Sequence, residues 1–210
     1  EIDYDEASAT TITFGTTTEI SGEGATIDGN LVTITQGGTY VVTGTATNSQ
    51  LKIKVADTEK VHLILAGVTI ENDFGSAILI EEADKVITTL VDGTVNQLTD
   101  GETYTNVSEE MNEDAVFYSK ADLTINGTGT LQVTGRYQNG LVSKDDLILI
   151  SGTYHIDAPG DGIKGKDSVA IRDGNYTIAT VAGDAIQSNN DTDGEKGTIA
   201  LDGGTYSIEA

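Results

Sequence analysis

The sequence predicts an all-β fold, a right-handed parallel β-helix whose coils hold about 22–25 residues. Three observations carry that prediction: a motif recurring at a fixed period, alternating strands filling the intervals, and no helical periodicity anywhere.

The recurring motif is a small residue after an acid or amide, at Asp114-Ala115, Asn139-Gly140, Asp161-Gly162 and Asp184-Ala185, in steps of 25, 22 and 23 residues. A second marker, Gly then Thr or Asn then Tyr or Leu, begins at Gly38, Gly129, Gly152, Gly174 and Gly204. Its last step is 30 residues, eight longer than the one before, and the polar stretch 189–196, NNDTDGEK, supplies the excess. Upstream, Ala77 and Ala115 are 38 residues apart, and residues 99–113 account for the surplus. The chain thus reads as a single domain, 1–210, with loop insertions at about 99–113 and 189–196.

Between the markers run short alternating segments: Leu123 and Ile125, Leu147 and Leu149, Tyr154 and Ile156, Val169 and Ile171. Glycine and Asx residues punctuate their ends, and the sole proline, Pro159, falls in such a corner. One unit cannot bury its apolar face alone, so coils must stack, with strands about 4.8 Å apart. A left-handed hexapeptide helix would need about 18 residues per coil, which the spacing refuses. The GGxGxD calcium-roll repeat is absent. A jelly-roll sandwich is the alternative fold, but sandwiches do not repeat their sequence at a fixed period.

Composition narrows function. With 34 acids against 11 bases the net charge is −23, which repels nucleic acid and anionic membranes. No apolar run reaches the roughly 20 residues of a membrane-spanning helix, so membrane insertion is not expected. There is no cysteine and only two histidines, His62 and His155, which disfavours disulfides and transition-metal centres. Acidity without cysteine points to a secreted or cell-surface bacterial protein.

Stacking turns the period into vertical rows of like residues. Asp114, Asn139, Asp161 and Asp184 form one row, with Asp122, Asp145, Asp146 and Asp167 leaving the same corner a few residues later. Carboxylates one coil apart repel by roughly 1 kcal/mol in water and about 3–4 kcal/mol at an effective dielectric of 20. A hard cation taking several oxygens, Ca2+ above all, would neutralise them. The alternative is a solvated acidic face balanced by Lys144 and Lys166. In the second insertion Asn189, Asp191, Asp193 and Gly194 match positions one, three, five and six of a calcium loop, but position twelve is Ala200 in place of the bidentate Glu.

A basic row, Lys120, Lys144 and Lys166, runs beside the acids. It either compensates charge or, together with calcium, Arg136 and Tyr137, grips an acidic sugar chain. Tyr40, Tyr154, Tyr176 and Tyr206 share one repeat position, which predicts an internal stack. No nucleophile elbow, metalloprotease or phosphate-loop motif occurs, and repeated carboxylates argue for structure over a catalytic pair, so no catalytic residue is assigned.

DAVFYSKADLTINGTGTLQVTG, NGLVSKDDL, DGIKGKDSVAIRDG and GDAIQSNND, with GGTYVVTGT, KVHLILAGVTI and GSAILIEEADKVITTLVDGTVNQLTDG upstream, resemble a family of secreted bacterial carbohydrate-binding β-helix proteins. The resemblance implies a pectate-lyase-like β-helix, several calcium ions, and binding of plant cell-wall polysaccharide, cellulose or acidic sugars such as polygalacturonate, without established cleavage. Its D-G-I and S-K-D corners point at Asn139, Asp145, Asp161, Asp167 and Asp184. The chain departs from the pattern at Ala185, where Gly is expected, and at Asn189, where Lys is. The readings held beside noncatalytic binding are a calcium-dependent lyase, with Lys144 or Lys166 as base, and a surface adhesin or spacer.

Overall fold

The structure, a computed structural model, describes residues 8–105 and 111–210. It is all-β: among the described residues there are 22 strands, numbered β1–β22 in chain order, and no helix. Two hairpins begin it. Strand β1 (Thr10–Phe14) pairs antiparallel with β2 (Glu19–Ser21), and β3 (Ala25–Asp28) with β4 (Leu31–Ile34). Every other pairing is parallel, as the repeat predicts, and the two hairpins lie upstream of the repeat's markers.

The parallel strands form three ladders. The first continues from β4 through β6 (Gln50–Lys54), β8 (Ile78–Glu82), β11 (Ala115–Ser119), β14 (Asn139–Ser143), β17 (Ile163–Gly165) and β20 (Ile186–Ser188), making an eight-stranded sheet with β3. The second runs β9 (Lys85–Leu90), β12 (Asp122–Gly127), β15 (Asp146–Leu149), β18 (Ser168–Ile171) and β21 (Thr198–Leu201). The third runs β10 (Val95–Thr99), β13 (Thr130–Thr134), β16 (Thr153–Ala158), β19 (Asn175–Thr180) and β22 (Thr205–Glu209).

The second and third ladders share a root in two long strands, β5 (Gly38–Thr47) and β7 (Lys60–Glu71), and so count as one 14-stranded sheet. The first half of β7 pairs with β9 and its last residues with β10. The bend between the halves falls at Gly67, at φ 79°. Buried Asn96 accepts hydrogen bonds from the Gly67 and Val68 amides at 2.9 and 3.1 Å, pairing the donors that the bend frees. A Cβ at Gly44, where β5 bulges against β7, would run into the Phe14 carbonyl.

Register carries the period into space. Phe117 stands against Leu141, Leu141 against Ile163, and Ile163 against Ile186, in steps of 24, 22 and 23 residues. Val169 faces Ile199, 30 residues on, so the 189–196 stretch enlarges that one coil. The other expected insertion separates β10 from β11, and its residues 106–110 lie outside the described ones. Inward rows such as Leu63–Thr88–Ile125–Leu149–Ile171 build a continuous core. Tyr154, Tyr176 and Tyr206 stack at 4.8 and 5.1 Å, each hydroxyl donating to the carbonyl three residues before it. Tyr40, Tyr154 and Tyr176 are buried.

Buried Leu147 sits between Leu123 and Val169. Leu147→Ala should cost about 2–5 kcal/mol in a urea titration, whereas Thr177→Ala, on an exposed strand position, should stay within about 0.5 kcal/mol. Equal costs would refute the inward assignment of that row.

Candidate functional site: lysines and carboxylates around one sheet

On the eight-stranded sheet the row Leu51–Ile78–Phe117–Leu141–Ile163–Ile186 faces the core, and the neighbouring row, Lys52–Leu79–Tyr118–Val142–Lys164–Gln187, lies on the outer face. Leu79, Tyr118 and Val142 form an apolar ridge on which Met111 packs, and the Tyr118 hydroxyl donates to the Met111 carbonyl. At β17 the row changes character. Lys164 takes the apolar position and, with Lys144, Lys166, Val142, Ser143 and Asn189, lines a pocket of about 290 Å³. Lys144 also lies 5.3 Å from the Tyr118 ring centroid. Lys144 pairs with Asp114 at 3.5 Å and Lys164 with Asp161 at 2.8 Å, while Lys166 has no ion pair among the described residues. Lys120 holds the corner one coil before Lys144 and does not line the pocket.

The expected acid positions divide between the two ends of these strands. At the start, Asn139 Oδ1 accepts the Asp161 amide at 2.7 Å, and Asp161 Oδ1 accepts the Asp184 amide at 2.9 Å. Each side chain thus binds the peptide of the coil above. The other Asp161 oxygen takes Lys164, and the Asp184 carboxylate takes Gln187 at 2.8 Å. Asp114 falls one residue outside this row, because Ala115 stands opposite Asn139, and its Oδ1 is buried and unpartnered.

At the far end, Asp145 and Asp167 lie one coil apart beside Asp122 and Asp146. Carboxylate oxygens of Asp122, Asp145 and Asp146 all fall within 4.8 Å of one another, forming the one group of three or more such ligands among the described residues. Desolvation raises the Asp145 pKa, aided by a hydrogen bond with Asp167 and by the neighbouring charges. Asp167 is held low, chiefly by its hydrogen bond to Lys196. The serines of the S-K corners explain the local turns: Ser119 Oγ accepts the Ala121 amide and Ser143 Oγ the Asp145 amide, both at 3.1 Å.

The 189–196 loop is organised on Asn190. Its Oδ1 accepts the amides of Thr192 and Asp193, and its Nδ2 donates to Asp167 at 2.6 Å. Lys196 grips the other Asp167 oxygen. Asn189 faces the lysine pocket, Asp193 accepts the Glu195 amide at 3.0 Å, and Asp191 is exposed. Sequence spacing therefore picked the loop but not its two anchors, Asn190 and Lys196.

Arg136 and Tyr137 lie in the corner after β13. Arg136 pairs with Glu71 at 2.9 Å and Asp73 at 3.7 Å, and its amide donates to buried Asp100 at 2.6 Å. Tyr137 stacks on Tyr104 at 4.5 Å, and Tyr104 donates to Asp100. These two residues thus fasten the first insertion to the body of the fold, and neither lines the lysine pocket.

A parallel strand stack with polar and basic groups gathered on one open face is an architecture suited to extended ligands, and comparison with known proteins assigns its class. The chain belongs to the family of carbohydrate-binding domain-containing proteins, whose model matches residues 28–210. A carbohydrate-binding domain-containing protein of Acetivibrio thermocellus is 35% identical over 137 residues, 65% of this chain and 48% of that protein, so the match spans about half the relative's length. Among solved structures, the polysaccharide lyase-like protein from C. thermocellum, in a gadolinium derivative, matches at TM-score 0.89 and 33% identity, over 95% of this chain and 82% of that one.

Asn139→Ala should cost about 1–3 kcal/mol even in excess chelator, because it orphans the buried Asp161 amide. A melting curve unchanged in chelator would make Asn139 a metal ligand only. The raised pKa of Asp145 adds stability that is full below the usual Asp range and lost as pH rises through the raised value. Asp145→Asn in chelator should therefore melt above the parent near pH 7, and the advantage should vanish as pH falls below the usual Asp range.

Proposed function

We propose that this chain is a noncatalytic, calcium-binding module that captures acidic polysaccharide of the plant cell wall on the outer face of its eight-stranded sheet. The observation that carries the reading is the convergence of Lys144, Lys164 and Lys166 on one pocket in a chain of net charge −23. A uronate carboxylate is the natural occupant of three clustered ammonium groups, each charge-assisted bond being worth about 1.5–3 kcal/mol.

Calcium enters the same reading at the Asp122–Asp145–Asp146 group. Oxygens within 4.8 Å of each other fit a cation that bonds oxygen at about 2.3–2.6 Å, and the Asp145 pKa is raised by desolvation first and by the surrounding carboxylates after it. Asp167, whose two oxygens are held by Asn190 and Lys196, would join the site only on giving up one of those partners. A right-handed winding of the three ladders follows from the strong preference of parallel crossovers, and completes the β-helix reading. Export from a bacterium belongs to it as well.

The recurrence of Asp161 and Asp184 in one row, each built into the backbone hydrogen bonding or a side-chain pair, favours a structural ladder and binding over lysis. Incubation with polygalacturonate and calcium should give no unsaturated product by ultraviolet absorbance, while sedimentation with the insoluble polymer should retain the protein. Lys164→Ala/Lys166→Ala, shown to stay folded by circular dichroism, should weaken retention about 10–100-fold. Chelator should weaken it further. Undiminished retention of the double variant in chelator would refute the site, and unsaturated product would make the chain a lyase.

A further inference from the structure

We infer that the chain carries a second glycan site, for a neutral sugar, in a groove at the opposite end of the same sheet. The inference rests on the carbohydrate-binding reading and assigns it a separate location and ligand class. The groove encloses about 690 Å³, the size of a small-molecule site, where the β3–β4 hairpin, the corners before β6 and β8, and the end of the first insertion meet.

Its walls suit a hydroxylated, uncharged ligand. Phe74, 48% exposed, is among the lining residues, and an exposed aromatic ring is suited to the apolar C–H face of a pyranose. Asn30 and Asn48 line the groove, both exposed and without a side-chain hydrogen bond among the described residues. An amide offers two donors and an acceptor, the complement of a sugar hydroxyl, which is both donor and acceptor. Asn48 is held at φ 52°, a backbone state that asparagine tolerates better than most side chains. Gln50 is fixed by donating to the Ser76 carbonyl at 3.0 Å, which leaves its own oxygen available.

Other ligand classes fit poorly. An anion would meet Asp28, Glu81 and Glu113, and the one lysine of the lining, Lys52, is engaged by Glu81 at 3.1 Å. A cation would find Glu81 held by both Lys52 and Lys54, and the Glu113 carboxylate accepting the Ser76 amide. The lysine pocket lies beyond β11 on the same face, with the Leu79–Tyr118–Val142 ridge and Met111 between, so the two sites have separate walls and opposite charge.

The test titrates the intact chain in chelator with three neutral hexasaccharides, of β-glucan, xylan and mannan type, and in parallel with polygalacturonate in calcium. Calorimetry should detect at least one neutral hexaose. Phe74→Ala and Asn30→Ala/Asn48→Ala should each lower that affinity at least tenfold while leaving polygalacturonate retention unchanged, and Lys164→Ala/Lys166→Ala should do the reverse. Amide shifts on titration of the parent should cluster at residues 28–31, 48–50 and 72–74. Absence of binding by all three hexaoses, or neutral binding lost in the lysine variant and kept in Phe74→Ala, would overturn the inference. Loss of the polygalacturonate signal alone would instead remove the acidic-ligand reading and leave this one standing.

Discussion

In-register stacking of parallel strands is the constraint on which everything else in this molecule rests. Each side chain has a neighbour in the same register about 4.8 Å above and below. For apolar residues this is favourable without further devices, and Leu123, Leu147 and Val169 simply continue one core. Tyrosines accept the geometry by stacking nearly coplanar, with 2° between the Tyr154 and Tyr176 rings. Carboxylates cannot. A fold that repeats an aspartate must repeat a means of neutralising it, and three such means are visible. A peptide amide of the next coil binds Asp161, as another binds the uncharged Asn139 of the same row. Lysines and arginines of the same or adjacent coils pair with acids, as Lys164 does with Asp161 and Arg172 with Asp202. Crowded Asp145 shifts its pKa upward.

The same constraint explains what could be read in the sequence. A glycine or serine at a corner leaves a periodic trace because the corner itself recurs, so steps of 22–25 residues and the enlarged coil after Asn189 were visible in one dimension, and the register shortens the first of those steps from 25 to 24. Hairpins β1–β2 and β3–β4 left no trace because they occur before the repeat begins. The acid positions were found for a related reason, since they sit at corners. Which end of the strand each occupies depends on the few intervening residues Gly140–Ser143. Reading Asp145 and Asp167 as leaving the same corner as Asn139 and Asp161 compressed two rows into one.

Lys164 shows the limit more sharply. It lies in a strand, in a row whose earlier members are Leu79, Tyr118 and Val142, and a period search sees only an interruption of an apolar pattern. Only the register, which fixes that row to the outer face, turns an apparent defect into a candidate site position. Arg136 and Tyr137 show what the corner pattern leaves out: a guanidinium and a ring there resemble a sugar clamp, and the structure places them against Glu71, Asp100 and Tyr104, docking the first insertion.

Net charge and local charge then have to be reconciled. At −23 the chain as a whole repels a polyuronate, but exposed charges are screened beyond about 8 Å at physiological salt, so the far side of the molecule contributes little to the last step of approach. What an arriving carboxylate meets at short range is the pocket of Lys144, Lys164 and Lys166. Two of those lysines are partly neutralised by Asp114 and Asp161, and the third, Lys166, has no ion pair among the described residues. A carboxylate that binds there competes with Asp161 for Lys164 while gaining Lys166 outright. On the proposed reading, release therefore needs no large motion, because Lys164 has its own aspartate to return to.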